Sequence, residues 1–253
     1  MLQDILLISL TVSAVILLFL PLRSLLRRRY PVARLYVIWL ILAVRLLIPF
    51  RWEWEHAPVR VPAPPLAETA ISDRPAVLAP AVPLPEKPLS SQVLLPWIWA
   101  VGAAGLLAYH LGAYFLFRMR VRPYLIPLEE GARKSFFVKD PSVYRCPAVK
   151  GPMMLGYFRP MILLPETDYT QEELMAVLLH ERAHFRRGDM WYKLLLLAAN
   201  AVHWFNPLVW WMVKKAEEDL EFACDELVVR RQGLEFRKHY SSAILKTVQK
   251  TKE

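Results

Sequence analysis

The sequence predicts a predominantly α-helical integral membrane protein, with three N-terminal transmembrane helices followed by an α+β domain that contains a hydrophobic helical hairpin. Three observations carry that prediction. Of 253 residues, 55% are hydrophobic, and the mean hydropathy is +0.26, which sets the chain apart from ordinary soluble domains. Three apolar runs are flanked by arginine clusters. Beyond them, short apolar pieces cut by proline and glycine give way to longer helical patterns, as expected for a small sheet and then helices.

The first run, residues 5–22, is long enough to cross a bilayer core and is followed by Arg23, Arg27, Arg28 and Arg29. A secretory signal carries its positive charge ahead of the apolar run, so this polarity is that of an anchor with its N-terminus outside. A second run, 35–50, returns the chain to the outside and completes a pair of spans within residues 1–50. Arg45 inside it is expected to face other helices or to snorkel to the boundary, and Trp52 and Trp54 suit the outer interface. Residues 51–92 carry Pro62, Pro64, Pro65, Pro75, Pro80, Pro83, Pro85 and Pro88, the composition of an extended extracytoplasmic linker. The third run, 93–117, ends at Arg118, Arg120 and Arg122 and brings the chain back to the cytoplasm. Gly102, Gly105 and Gly112 suit close helix contacts, and His110 is expected to be a packed polar residue.

Residues 118–253 suffice for a compact, cytoplasm-facing domain. Strands are expected within 135–138, 148–155 and 160–164. The next segment is a helix: Thr170 and Glu173 form a capping box, Leu174, Val177, Leu178 and Leu179 an apolar stripe, and Gly188 a stop. On it, His180-Glu181-Arg182-Ala183-His184 sets two imidazoles at i and i+4, on one face. Neutral imidazoles bind Zn²⁺ without cancelling its charge, and a catalytic site keeps a position open for water, whose pKa falls to about 7 on the metal. Glu181 is placed to take the water's proton. Two surface histidines on a charged helix are the competing reading. For a third ligand the best candidate is Glu221, with Asp225 one turn later; against it stands a solvated acidic face shared with Glu217, Glu218 and Asp219.

Residues 191–213 are apolar enough for a full crossing, but a single crossing would separate Glu221 from His180 and His184 by the membrane. Asn206-Pro207 removes the conflict, since Asn is a good N-cap and Pro a good first helical residue. At 1.5 Å per residue, about fifteen residues out and about fifteen back return Glu221 to the level of His184. This hairpin is expected to be buried in the domain or to re-enter the membrane. Trp204, Phe205, Trp210 and Trp211 suit the membrane boundary or the hairpin core, with core packing preferred for each, and His203 is assigned to packing or capping. Cys146 and Cys224 are read as reduced, buried thiols, with Cys224 pointing away from Glu221.

Four motifs occur in order: Gly156-Tyr157-Phe158-Arg159-Pro160-Met161-Ile162-Leu163-Leu164-Pro165, the HExxH helix, His203-Trp204-Phe205-Asn206-Pro207, and Glu221-Phe222-Ala223-Cys224-Asp225. Together, over residues 150–229, they closely resemble the membrane metallopeptidases of the BlaR/MecR antirepressor family. The resemblance implies a gluzincin-like zinc protease domain with His180, His184 and Glu221 as zinc ligands and Glu181 as catalytic base. Asp225 would hydrogen-bond the free ring N–H of a ligating histidine. It further implies a regulatory endopeptidase that cleaves a repressor-like protein or itself in signal transduction, with an edge strand holding substrate extended. In the resembling receptors a further span leads to an extracellular penicillin-binding sensor. Neither is recognised here, which argues against direct β-lactam sensing by these residues and leaves two readings, a truncated receptor and a system whose sensor lies on another chain. The alternative is a membrane signal transducer that keeps the fold without catalysis. The net charge of +9 gathers beside the spans and, through Arg186, Arg187, Lys214 and Lys215, beside the metal region. It is expected to meet anionic lipid, and with no recognition module no direct nucleic-acid binding is expected.

Overall fold

The computed structural model describes residues 2–48, 91–128, 141–230 and 232–252. Trp52, Trp54, the linker prolines and the strand expected at 135–138 lie outside the described residues. The chain is predominantly helical with a small mixed region: α1 (Leu2–Arg29), α2 (Val32–Leu47), α3 (Ser91–Val121), a 3-10 turn (Arg122–Tyr124), β1 (Ile126–Pro127), β2 (Ser142–Arg145), β3 (Met153–Leu155), β4 (Met161–Leu164), α4 (Gln171–Arg187), α5 (Asp189–Val202), α6 (Pro207–Val229) and α7 (Leu234–Lys252).

Among the described residues two helical stretches, not three, are long and apolar enough to cross a membrane: Gln3–Arg29 and Leu94–Tyr124. The second expected span falls short because α2 has 16 residues. That is a rise of about 24 Å against a hydrocarbon core of roughly 30 Å. It is also enclosed by α1, α5 and α6, with Leu35, Trp39, Ala43 and Leu46 buried. Among the described residues Arg45 bonds its own helix end, donating to the Ile48 carbonyl at 2.9 Å.

The largest core joins α1, α2, α5 and α6 through Ile16, Trp39, Leu196, Val209, Met212 and Leu220. At its edge the fully buried Asp219 of α6 accepts Arg23 Nε at 2.8 Å, Arg23 Nη2 at 2.9 Å and Trp39 Nε1 at 2.8 Å. A lone buried carboxylate is costly, and this one is compensated by a two-pronged guanidinium and an indole N–H. Glu226, two turns on, accepts the Val32 N–H at 2.9 Å, one of the donors that the first turn of α2 leaves unpaired. Arg27 lies over the Phe222 ring at 4.1 Å. One face of α6 is thus held by α1 and α2.

The hairpin forms where Asn206-Pro207 predicts it. Asn206 Oδ1 accepts the Leu208 N–H at 2.9 Å, Pro207 takes the first helical position, and Asn206 Nδ2 donates to Ser9 and Ser13 of α1 at 2.7 Å each. His203 is buried and donates Nε2–H to the Leu46 carbonyl at 3.1 Å, which is packing, as expected. Phe205, Trp210 and Trp211 are exposed rather than in the core. The inward stripe of α6 runs through Val209, Met212, Ala216 and Leu220, and that spacing turns positions 210 and 211 outward.

Helix α3 lies across the hairpin tip. Trp99 Nε1 donates to the Val202 carbonyl at 2.8 Å, and Trp204 Nε1 donates to the Trp99 carbonyl at 3.2 Å. Gly102 sits under the Trp204 indole, where a Cβ would fall 2.4 Å from the ring; Gly105 and Gly112 have nothing within 4 Å, so one of the three glycines serves a close approach. His110 is on the exposed side of α3, edge-on to Tyr109, and not packed as expected. At its far end α3 packs Tyr114, Phe117 and Val121 against Cys146, Leu155 and Leu163 of the sheet region.

The sheet order is β1-β2-β4-β3, with β2 and β4 parallel and the outer strands antiparallel to their neighbours. β3 and β4 fall where the apolar pieces place strands; β1 and β2 lack a comparable signal. Gly156 turns the chain between β3 and β4 at φ 105°, and a Cβ there would meet the Arg159 carbonyl at 2.4 Å. β3 is an edge strand and lies against α4.

Candidate metal centre

The helix that carries the two histidines is fixed at both ends by its own sequence. Thr170 accepts the Glu173 N–H at 3.2 Å while the Glu173 carboxylate accepts the Thr170 N–H at 3.0 Å, and Gly188 ends the helix in the left-handed region at φ 70°. His180 and His184 therefore occupy its last two turns, with their Nε2 atoms 3.0 Å apart.

What holds the other ring nitrogens decides the chemistry. His184 Nδ1 lies 2.6 Å from Asp189 Oδ2, and a carboxylate only accepts, so Nδ1 carries the proton. Tyr240 donates its hydroxyl proton to Asp225 Oδ1 at 2.5 Å, which leaves its oxygen to accept from His180 Nδ1 at 2.6 Å. Both Nε2 lone pairs then face the same space. Glu221 Oε2 joins them at 3.2 Å from His184 and 3.7 Å from His180. Three electron-rich atoms so close repel one another unless a cation lies among them, and two imidazoles with one carboxylate are a donor set of catalytic zinc. The residues fit the metal.

The surroundings of the rings are strongly negative, which favours a positive charge at this spot, a proton on the rings or a metal ion among them. Burial alone would lower the His184 pKa, but the bonds to Asp189, Cys224 and Glu221 outweigh it and hold it up at about 11. Burial would raise the Glu221 carboxyl, yet His180, His184 and Lys193 keep it far below the usual carboxylate range. Glu181 is buried on the same wall; burial pushes its carboxyl up, opposed by the two histidines. Before it lies a cavity of about 360 Å³, bounded on one side by Pro152, Met153 and Met154 around edge strand β3 and on another by Tyr240, Ala243 and Ile244 of α7. His180, Glu181, His184, Glu221 and Asp225 all line it.

Several site residues escape the sequence reading. Asp189 follows directly on the glycine that ends α4, five residues past His184, a position from which a carboxylate reaches back to the last ring; that proximity was the available signal. Lys193 Nζ holds Glu221 Oε1 at 3.2 Å, leaving Oε2 for the histidines. Tyr240 comes from a separate helix and carries no local signal. Cys224 corrects an expectation: its thiol lies within 4.8 Å of the histidine ring nitrogens and donates to the His180 carbonyl at 3.4 Å. Three residues past Glu221, it shares that residue's face of the helix and does not point away. Both cysteines are free and buried. Arg187 also differs from the lipid-facing role expected of it. It turns inward to Asp189 at 3.4 Å and lies 4.8 Å over the Tyr36 ring.

The family model described as BlaR1 peptidase M56 matches residues 3–253. The regulatory protein BlaR1 of Bacillus licheniformis is 38% identical over 104 residues, 40% of this chain and 17% of that protein. The methicillin resistance mecR1 protein of Staphylococcus aureus is 24% identical over 118 residues, 46% of this chain and 20% of its own length. The matched stretch spans a fifth or less of these relatives.

Proposed function

Because the chain belongs to the BlaR1 peptidase M56 family, we propose that it is a membrane-embedded zinc endopeptidase that cleaves a repressor-like protein, itself, or both in signal transduction. The convergence of His180 Nε2, His184 Nε2 and Glu221 Oε2 on one wall of a cavity that Glu181 also lines is the observation that carries this reading.

His180, His184 and Glu221 hold the metal. Bound there, zinc supplies Lewis acidity to the scissile carbonyl and lowers the pKa of water. Edge strand β3 offers unpaired backbone groups beside the cavity, and an extended peptide pairs with them. Glu181 takes a proton from the attacking water as its oxygen bonds to the carbonyl carbon, then delivers that proton to the amine nitrogen as the C–N bond breaks. Asp189 and Asp225 keep the ligand rings in the orientation and tautomer the metal needs.

The arginine-rich ends of α1 and α3 support a cytoplasmic position for the metal centre. Arg23 and Arg27 reach Asp219 and Phe222 beside the site, and the end of α3 packs on the sheet, so both clusters share a level with the metal centre. We divide the chain accordingly into a membrane region within 1–50, a connection at 51–92, a second membrane segment at 93–117 and a cytoplasmic peptidase domain at 118–253. The partners are anionic lipid and a protein substrate.

The test uses detergent-purified full-length protein. Wild type is expected to hold about one zinc, Glu221→Ala to lose it readily to chelator, and Glu181→Gln to keep it while cleavage falls by about 10²–10⁴. Zinc-free wild type would sink the reading. Signalling that survives Glu181→Gln would instead make the protein a non-catalytic transducer.

A further inference from the structure

The two histidines of the centre are held by different means, and the difference assigns a role to the C-terminal helix. His184 is bonded directly by Asp189, which lies next to the end of its own helix. His180 is held by Tyr240, 60 residues later in the chain. Asp225 approaches the same Nδ1 only to 3.2 Å, whereas the Tyr240 oxygen is at 2.6 Å and is itself bonded to Asp225. We propose that Tyr240 is a positioning residue of the metal centre: its hydroxyl relays Asp225 to His180 and fixes that ring, so that α7 completes the site. This rests on the zinc reading above.

The packing of α7 suits such a role. Tyr240 is 5% exposed and lies against Ala176, Ala183 and Cys224, with the Phe236 ring stacked on its own at 17°. One turn on, Ala243 packs against Val177 and Leu178 of α4. Farther along, Ser242 and Lys246 both bond the Glu173 carboxylate at 2.6 Å. Glu173 also caps α4, so the helix with the histidines and the helix with the tyrosine share one anchor. An imidazole whose second nitrogen is bonded keeps one tautomer and one ring angle. Loss of such a partner typically weakens metal binding by about 10–100-fold.

Tyr240→Phe removes one oxygen and keeps the ring and its stacking. Zinc release to chelator and the visible spectrum of Co²⁺-substituted protein would be compared in full-length wild type, Tyr240→Phe and Phe236→Leu. The expected result is zinc release faster by about 10–100-fold in Tyr240→Phe, with shifted cobalt bands and an unchanged melting temperature of the metal-free protein. Phe236→Leu, which loosens the stack without touching the hydroxyl, is expected to leave the cobalt bands in place. Equal release and identical spectra in wild type and Tyr240→Phe would overturn the role of Tyr240 alone. Equal shifts in both variants would overturn it as well, by assigning the effect to packing. Zinc-free wild type would overturn the metal reading and this proposal together.

Discussion

The two apolar arms of the molecule are attached in opposite ways. The α1–α2 arm ends in charge: Arg23 and Trp39 bond the buried Asp219, and the Val32 N–H bonds Glu226, all on α6. The α3 arm crosses the hairpin tip on two neutral indole–carbonyl bonds and a glycine–tryptophan contact. Along much of its length it stays open, with Val101, Tyr109 and Leu116 exposed. Asp219 lies two residues before Glu221, on the opposite side of the same helix. The first arm therefore braces the helix that carries Glu221 and also holds the hairpin tip through Ser9 and Ser13, whereas the second touches the hairpin at its tip and packs its far end on the sheet. Both arms are apolar, and they do different jobs.

The sharpest way to break that contrast is Asp219→Ala, which leaves the Arg23 guanidinium, itself only 11% exposed, with Glu218 at 3.2 Å and takes the acceptor from Trp39 Nε1. It is expected to cost about 3–5 kcal/mol in denaturant unfolding in detergent and to speed zinc loss. Unchanged zinc retention would mean that the arm does not brace the site. Gly102→Leu drives a side chain into the Trp204 indole and is expected to cost about 1–3 kcal/mol, with zinc retention at the wild-type level. If zinc is lost there too, the arms are not distinct. Trp99→Phe deletes one indole donor and is expected to cost only about 0.5–1.5 kcal/mol, read as easier proteolysis of α3 with the metal site intact.

The parts of the fold that were legible in the sequence are those set by neighbours along the chain. The capping box at Thr170 and Glu173, the stop at Gly188 and the break at Asn206-Pro207 each act within a few residues, and each stands where the pattern puts it. The HExxH spacing likewise fixes two rings on one face. What failed depends on contacts between distant segments. α2 reads as a span because its apolar residues match those of a lipid-facing helix, while its actual neighbours are α1, α5 and α6. Trp210 and Trp211 read as core for the same reason. Tyr240 has no local mark, since its meaning comes from where α7 docks. Cys224 was misjudged on geometry that the sequence did contain, the three-residue spacing from Glu221.

Asn206 bears on the order in which the chain can assemble. Its amide caps α6 with one end and, with the other, needs hydroxyls supplied by Ser9 and Ser13, almost two hundred residues earlier. Synthesis delivers α1 first, so the acceptors wait for the hairpin rather than the reverse. Until the tip docks on them, its amide N–H groups lack these partners and must find others. Closing the hairpin is thereby tied to a contact of very high sequence separation, the kind that forms late and only after both partners are in place. The N-terminal helix thus acts as a template in biogenesis as well as an anchor, and a chain deprived of it would be left with an unfinished turn at the tip of its helical hairpin.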